Sequence, residues 1–547
     1  METKNAFLAI ILSMFVIFGY QYLFPTQQAP VQPAPVNSAP VSVEATPPPV
    51  SPVFTPADPV VDQTTPSIPA RDIPIETSLY RAVVSENGGT IKSFELKEYK
   101  ETPGKNALDK QLIRDSESPN LPFFFSWGKD PELVIKRPIM TADQSQLSRG
   151  GTLALTGSPG PGLSITKQLS FSDNAYQIEL TVDVTNKSEE ALKGSPYLTV
   201  SSKPLSPEAT DSRYLFSGPV ALVDGSLEQV KIPDLKKEGP KTMQGQVAWT
   251  SFEDTYFMLA AAADQEEATP QTVRMTTGTA EQVNTVLSGQ PDIIASGQVK
   301  QYRYTIYIGP KKMEALEQAG HDFDRAINFG WFGMVAKPVL VLLNLIYRYI
   351  HNYGVAIILV TVLIKMVFWP ITHKGMKSMK DMQKLQPKLA KLKEKYKDDK
   401  ERQAQEQMKL YKTYKINPLG GCLPMLLQIP VFFALYRVLM QAIELRHAPF
   451  MLWITDLSAP ERLAVGFQIP YVGGLPVLTL LMGGSMFLQQ KMTPQSAANP
   501  EMAKAMMFMP VIFTFLFINF ASGLVLYFIV NNLLSMTQQY FINKHTG

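Results

Sequence analysis

The chain has 547 residues, 45% of them hydrophobic, a formal net charge of +3 and one cysteine. Those averages would suit a soluble protein, but the apolar residues are segregated at the N-terminus and over roughly the last two hundred positions, which excludes a single soluble globule. A lone cysteine, Cys422, excludes a disulfide within the chain and leaves the redox compartment unidentified.

A short charged start is followed by an apolar run from Ala6 to Phe24. A signal peptide has a shorter apolar stretch and a small-residue cleavage site, and neither is present. The aromatic boundary of Tyr20, Tyr22 and Phe24 instead favours an uncleaved transmembrane anchor over residues 1–24, N-terminus inside. Residues 25–73, rich in Pro, Ala, Val, Gln, Ser and Thr, bury too little apolar surface to fold and read as an extended tether.

From 74 to 328 the hydrophobic period becomes two. Tyr176, Ile178, Leu180, Val182 and Val184 alternate with polar neighbours, as do Tyr302, Tyr304, Ile306 and Ile308. Turn-residue clusters separate these runs, so the segment reads as a large all-β sandwich. No metal-ligand spacing, phosphate loop or nucleophile elbow occurs in it, and a binding or scaffolding role follows. Asn186-Lys187-Ser188 fits a glycosylation sequon, a match common by chance.

Residues 25–328 carry 27 Lys and Arg against 37 Asp and Glu, whereas 373–418 carry 14 against 6. Basic loops stay in the cytoplasm, which places the second segment inside and the first outside. Residues 329–350 are apolar but broken by Lys337-Pro338. If they spanned, the basic loop would be carried outside, so they read as an amphipathic helix on the outer surface, with Trp331 and Tyr347 at the interface.

Residues 353–372 form a transmembrane run with one cation inside it, Lys365. Counted from His373, it lies about 12 Å deep. A lysine there either snorkels to the headgroups or faces a polar cavity. Thr361 lies one turn away on the same face. Next, 373–418 reads as a cytoplasmic hairpin of two antiparallel helices interrupted at Lys397-Asp398-Asp399-Lys400. Its lysines, Lys377, Lys380, Lys384, Lys388 and Lys391 among them, suit solvent and anionic lipid headgroups, or a ribosome-facing role.

The run 421–441 crosses outward, and Gln428 falls at the depth computed for Lys365, so the two polar side chains are expected to meet at one level. Further spans are read at 471–488, 505–520 and 524–540, with Gly523 as a tight outer turn. Asn519, Asn531 and Asn532 add polar atoms that also serve as interhelical glue. Six spans put both termini inside.

These residues resemble the YidC-type membrane protein insertases of Gram-negative bacterial inner membranes. The resemblance is strongest in Asn417-Pro418-Leu419-Gly420-Gly421-Cys422 with the following LPMLLQIPVFFALY, in Trp453-Ile454-Thr455-Asp456-Leu457-Ser458, and from Met509 to Asn532. It implies a polytopic α-helical membrane protein: a five-helix core with a hydrophilic groove open to cytoplasm and lipid, a cytoplasmic hairpin, and a periplasmic β-supersandwich. By motif position the groove cation falls on Lys365, where well-known members carry arginine. Lysine keeps the charge and loses the planar fork. Thr361 and Gln428 match groove-lining positions. The chain stops at Gly547 without the long basic tail of some relatives.

On this reading the partners are nascent membrane proteins, the Sec translocon, the ribosome, the signal recognition particle receptor and anionic lipids. No nucleotide or other cofactor is implied, and no enzymatic chemistry. A small-solute transporter or channel is the competing class, but it would usually show paired repeats, and none is seen. A Ser-Lys hydrolase fails because Ser378, the nearest downstream serine, lies in the loop.

Overall fold

The computed structural model describes residues 70–545 apart from 105, 115–121, 130–136, 206–215, 265–268, 279–281, 398, 415–422, 467–471 and 493–499. The N-terminal anchor, nearly all of the tether and the Asn417–Cys422 motif lie outside the described residues.

The first half is β, in sheets of five, nine and six strands. Near the middle of the nine-stranded sheet, strand Gln177–Asn186 pairs antiparallel with Val299–Pro310, in register Ile178↔Ile306, Leu180↔Tyr304 and Val182↔Tyr302. The two alternating runs of the sequence are therefore each other's partners. Their apolar sets share one buried face because side chains on a strand alternate between faces and a one-residue slip would expose them. Leu198, Val200, Val273 and Leu287 of the six-stranded sheet join the same core. Two short helices, α1 (Ile232–Glu238) and α2 (Met313–Ala319), accompany the sheets.

The sequon is structural. Asn186 is buried, and its Nδ2 donates to the carbonyls of Glu190 and Ile294 at 2.7 and 2.9 Å while its Oδ1 accepts from Ser188. A side chain so occupied is closed to glycosylation.

Eight helices follow among the described residues: α3 (Gly333–Ile350), α4 (Tyr353–Lys384), α5 (Gln386–Lys395), α6 (Lys400–Thr413), α7 (Leu423–Gln441), α8 (Val477–Met492), α9 (Pro500–Phe517) and α10 (Ser522–His545). By length and apolarity, Gly330–Ile350 and Tyr353–Lys384 each suffice to cross a membrane; Leu427–Gln441 and Met507–Phe517 are shorter apolar helices. α3 buries Ala336, Val339, Leu340 and Leu343 and exposes Met334, Val341 and Tyr349, and Trp331 in the turn just before it is exposed too. His351, in the left-handed region, ends α3, and Asn352 caps α4 by accepting from Val355 N at 3.1 Å.

Two local expectations need correction. α4 does not end where the basic segment begins; it continues to Lys384, and the hairpin proper is α5 against α6. Gly523 is not the outer turn. It lies in the first turn of α10, where its N–H donates to Leu457 O (2.9 Å) and an added Cβ would stand 3.1 Å from that oxygen. Close approach to the 457 loop, not a turn, is what needs glycine there.

The β domain grips the loop that follows α7. Ile443, 2% exposed, belongs to the β-domain core. Arg446 donates to the carbonyls of Lys100 (2.7 Å) and Glu101 (3.2 Å), and its guanidinium lies 5.2 Å from the centre of the Phe257 ring.

Candidate functional site: a polar seam along the last helix

Between Leu524 and Tyr540, α10 is apolar except for an exposed Thr537 and a stripe: Tyr527, Asn531, Asn532, Ser535, Gln538 and Gln539. Steps of three and four place these on neighbouring positions of one face. That face is turned inward, with Tyr527, Asn532, Ser535, Gln538 and Gln539 all buried. In an apolar surrounding each needs a partner from another helix, and the seam supplies one for nearly every position.

Lys365 of α4 donates to Ser535 Oγ at 2.9 Å, and Ser535 in turn donates to Asn531 O at 2.7 Å. Thr372, two turns further along α4, exchanges hydrogen bonds with the Gln538 amide at 2.9 and 3.2 Å. On the α8 side, Asn532 donates to Ser485 Oγ and Gln539 to Met492 O, both at 2.9 Å. From α7, Gln428 donates to the Tyr527 hydroxyl at 2.5 Å. Asn531 Oδ1 is buried without a hydrogen-bond partner among the described residues.

The seam holds one charge. Among the described residues Lys365 forms no ion pair, and its hydrogen-bond partner is a neutral hydroxyl. The half-buried ammonium is thus drawn toward α10.

The three expected groove residues are placed unequally. Thr361 is buried, but its hydroxyl donates to Ile357 O (2.7 Å) in its own helix and does not bond Lys365. Lys365 and Gln428 do not meet; each bonds α10, at positions 535 and 527. Those positions differ by about 12 Å along the helix axis. The equal counts did not carry over to the structure, where His373 lies inside the continuous helix α4 and marks no end of it. Ser535, Gln538, Gln539, Tyr527, Thr372 and Ser485 were missed. The signal for the α10 members was available: polar residues recurring every three or four positions in an apolar run. Of the hairpin lysines, Lys377, Lys384, Lys388 and Lys391 are exposed and Lys380 is half-buried. Lys388 bonds the Tyr414 hydroxyl and lies 4.3 Å from its ring centre. No cluster of three or more His, Cys, Asp or Glu occurs among the described residues.

Two family models match the chain, one described as 60Kd inner membrane protein over residues 345–547 and one as YidC periplasmic domain over 72–342. A membrane protein insertase YidC of Geotalea uraniireducens (strain Rf4) is 41% identical over 544 residues, 99% of each chain. Another, of Syntrophobacter fumaroxidans (strain DSM 10017 / MPOB), is 39% identical over 488 residues, 86% of each chain. A third, of Syntrophus aciditrophicus (strain SB), is 40% identical over 560 residues, 99% of each. Insertases are not enzymes. With identity of this order running through both the β domain and the helical core, the chain belongs to the YidC family of membrane protein insertases.

Proposed function

We propose that this chain inserts nascent membrane proteins into the inner membrane, alone or beside the Sec translocon, using the polar seam as a groove open to cytoplasm and lipid. The observation that carries the proposal is the uncancelled Lys365 ammonium, held among neutral polar side chains where apolar helices meet. A polar segment crossing hydrocarbon unaided leaves its charges and backbone groups unsolvated; a wet seam through one leaflet shortens that path, and its cation attracts acidic residues. Burial of the flanking apolar segment in lipid then supplies the free energy, roughly 25 cal/mol for each Å² removed from water.

The same reading assigns six spans with both termini cytoplasmic, the β domain periplasmic and α3 at the outer interface. Opposite charge balances of 25–328 and 373–418 support it. The exposed hairpin lysines then face anionic headgroups, the ribosome or the signal recognition particle receptor. The test is photo-crosslinking of a stalled, single-span nascent chain to probes on the α4 and α7 turns beside Lys365 and Gln428. Crosslinks should form there and be absent from probes on the exposed faces of α5 and α6. Equal labelling at both places refutes the groove.

A further inference from the structure

We propose that Ser535 is the positioning residue for the seam's cation: it holds the Lys365 ammonium inside the bundle as an uncancelled charge. This rests on the insertase reading and deepens it. A lysine near the end of a span ordinarily turns its four-carbon stem toward the headgroups, because an ammonium is hydrated there at little cost. Here the ammonium bonds inward instead, 2.9 Å from a hydroxyl that is itself buried.

The chemistry of that hydroxyl is specific. Serine has one proton and two acceptor lone pairs, and a free hydroxyl rotates to suit its neighbours. Ser535 is not free: its proton is committed to Asn531 O at 2.7 Å, one turn back on α10. The lone pairs are thereby left to the ammonium. An ammonium has three protons, and one is taken by Ser535, so two remain for a substrate carboxylate.

The direction of Ser535 is fixed from both ends. Asn532–Ser485 ties α10 to α8 just before it, and Gln538–Thr372 ties α10 to α4 just after it. Rotation of α10 that would swing Ser535 away must break both buried pairs. A carboxylate at 535 would hold the lysine equally well and cancel its field. An alanine would leave the field and release the lysine to the headgroups. A neutral acceptor with a committed proton does neither.

The test compares insertion of two single-span substrates, identical except for an acidic or a neutral translocated tail, into proteoliposomes containing the full chain. The readout is the ratio of the two rates, which interhelical glue alone does not move. Ser535→Ala should lower the acidic-to-neutral ratio by about ten- to a hundredfold, the scale of one charge-assisted hydrogen bond. Ser535→Asp should bring it to about one, since Coulomb attraction needs an uncancelled charge. Ser535→Thr, which keeps both the i−4 bond and the acceptor, should restore the ratio. Lys365→Ala is the control for the underlying reading. If Lys365→Ala lowers the ratio and the Ser535 variants, folded by thermal midpoint, do not, the positioning role is overturned and the groove reading stands. If Lys365→Ala also leaves the ratio unchanged, the groove charge and the proposal fall together. Ser535→Cys, near in size and a poor acceptor, replaces any variant that does not fold, and an unchanged ratio there overturns the proposal equally.

Discussion

Removing the Arg446 side chain should loosen the β domain from the 443–448 loop of the helical core. The guanidinium makes two hydrogen bonds to the carbonyls of Lys100 and Glu101 and packs 5.2 Å from the Phe257 ring centre. A hydrogen bond from a charged donor is worth about 1.5–3 kcal/mol net, and a partly buried cation–π contact about 0.5–2. The three share one group and do not add fully, so about 3 kcal/mol is a fair figure for Arg446→Ala. At about 1.4 kcal/mol per factor of ten, local opening of the loop should become roughly a hundredfold more frequent.

Amide hydrogen exchange of the full chain in nanodiscs reads this directly, because exchange from locally opened states reports their free energy. The amides to follow are those of Leu445, Arg446 and Ala448, which donate to Ala442 O, Ile443 O and Leu445 O, and of His447, which donates to Asp456 Oδ1. They should exchange about a hundredfold faster in Arg446→Ala, while amides of strand Gln177–Asn186 stay unchanged. Arg446→Lys should fall between, since lysine lacks the planar fork that reaches two carbonyls at once. Loop exchange within about threefold of the unmutated rate would show that Ile443 and its neighbours hold the interface without the arginine, and the reasoning would be wrong.

Deleting the β domain from about Ile75 to Gly309 should leave insertion in proteoliposomes, since the seam lies wholly in the helices; loss of insertion with the helices still folded would contradict this. The deletion should still unprotect the 443–448 amides, because it removes the cover of Ile443. In α8, Gly483→Ala places a Cβ 2.1 Å from Thr514 Oγ1, whereas at Gly484 nothing lies within 4 Å. To move, Thr514 must give up its bond to Pro510 O, so Gly483→Ala should cost about 1–3 kcal/mol and Gly484→Ala little or nothing, read as thermal midpoints. In the β domain, burial, with Arg137 nearby, pushes the Lys167 ammonium down to about 7. Between that value and about 10.4 the unfolded chain binds a proton that the folded chain lacks, so stability rises with pH across this window. Lys167→Met should remove that rise, its melting temperature gaining most on the unmutated chain at and below pH 7; parallel pH profiles would refute it.

Local periodicity made the β domain legible. A period of two marked Ile178–Val184 and Tyr302–Ile308 as strands, and the register then follows from burying both apolar sets. Which strands pair was not legible, because the partners are separated by more than a hundred residues of similar alternation. Lys365 was legible as a candidate because a cation in an apolar run has no cheap explanation. Its partner was not, since serine is common in membrane helices and the bond spans 170 positions of sequence. Depth counting misplaced Gln428 because it was anchored at His373, which lies inside the continuous helix α4 and marks no boundary in it. Gly523 misled for a related reason: the residue is needed for contact with Leu457 O, and glycine looks the same in sequence whether it serves a turn or a close approach.

The partners within the seam bear on how strongly it can act. Gln428–Tyr527, Asn532–Ser485 and Thr372–Gln538 are neutral pairs that satisfy one another and carry no net field. Lys365 alone adds a charge, and its neutral partner leaves that charge standing. Two unit charges about 4 Å apart interact by about 4 kcal/mol at an effective dielectric of about 20 and about 1 kcal/mol in water. A hydrated groove lies between these limits, so the lysine can favour an acidic segment by about ten- to a few hundredfold at most. Burial of one transmembrane segment in lipid outweighs that several times over. On the proposed groove reading the seam's charge would select and speed entry without driving it, and a substrate with a neutral tail should still insert, more slowly to the extent that its competitor was helped.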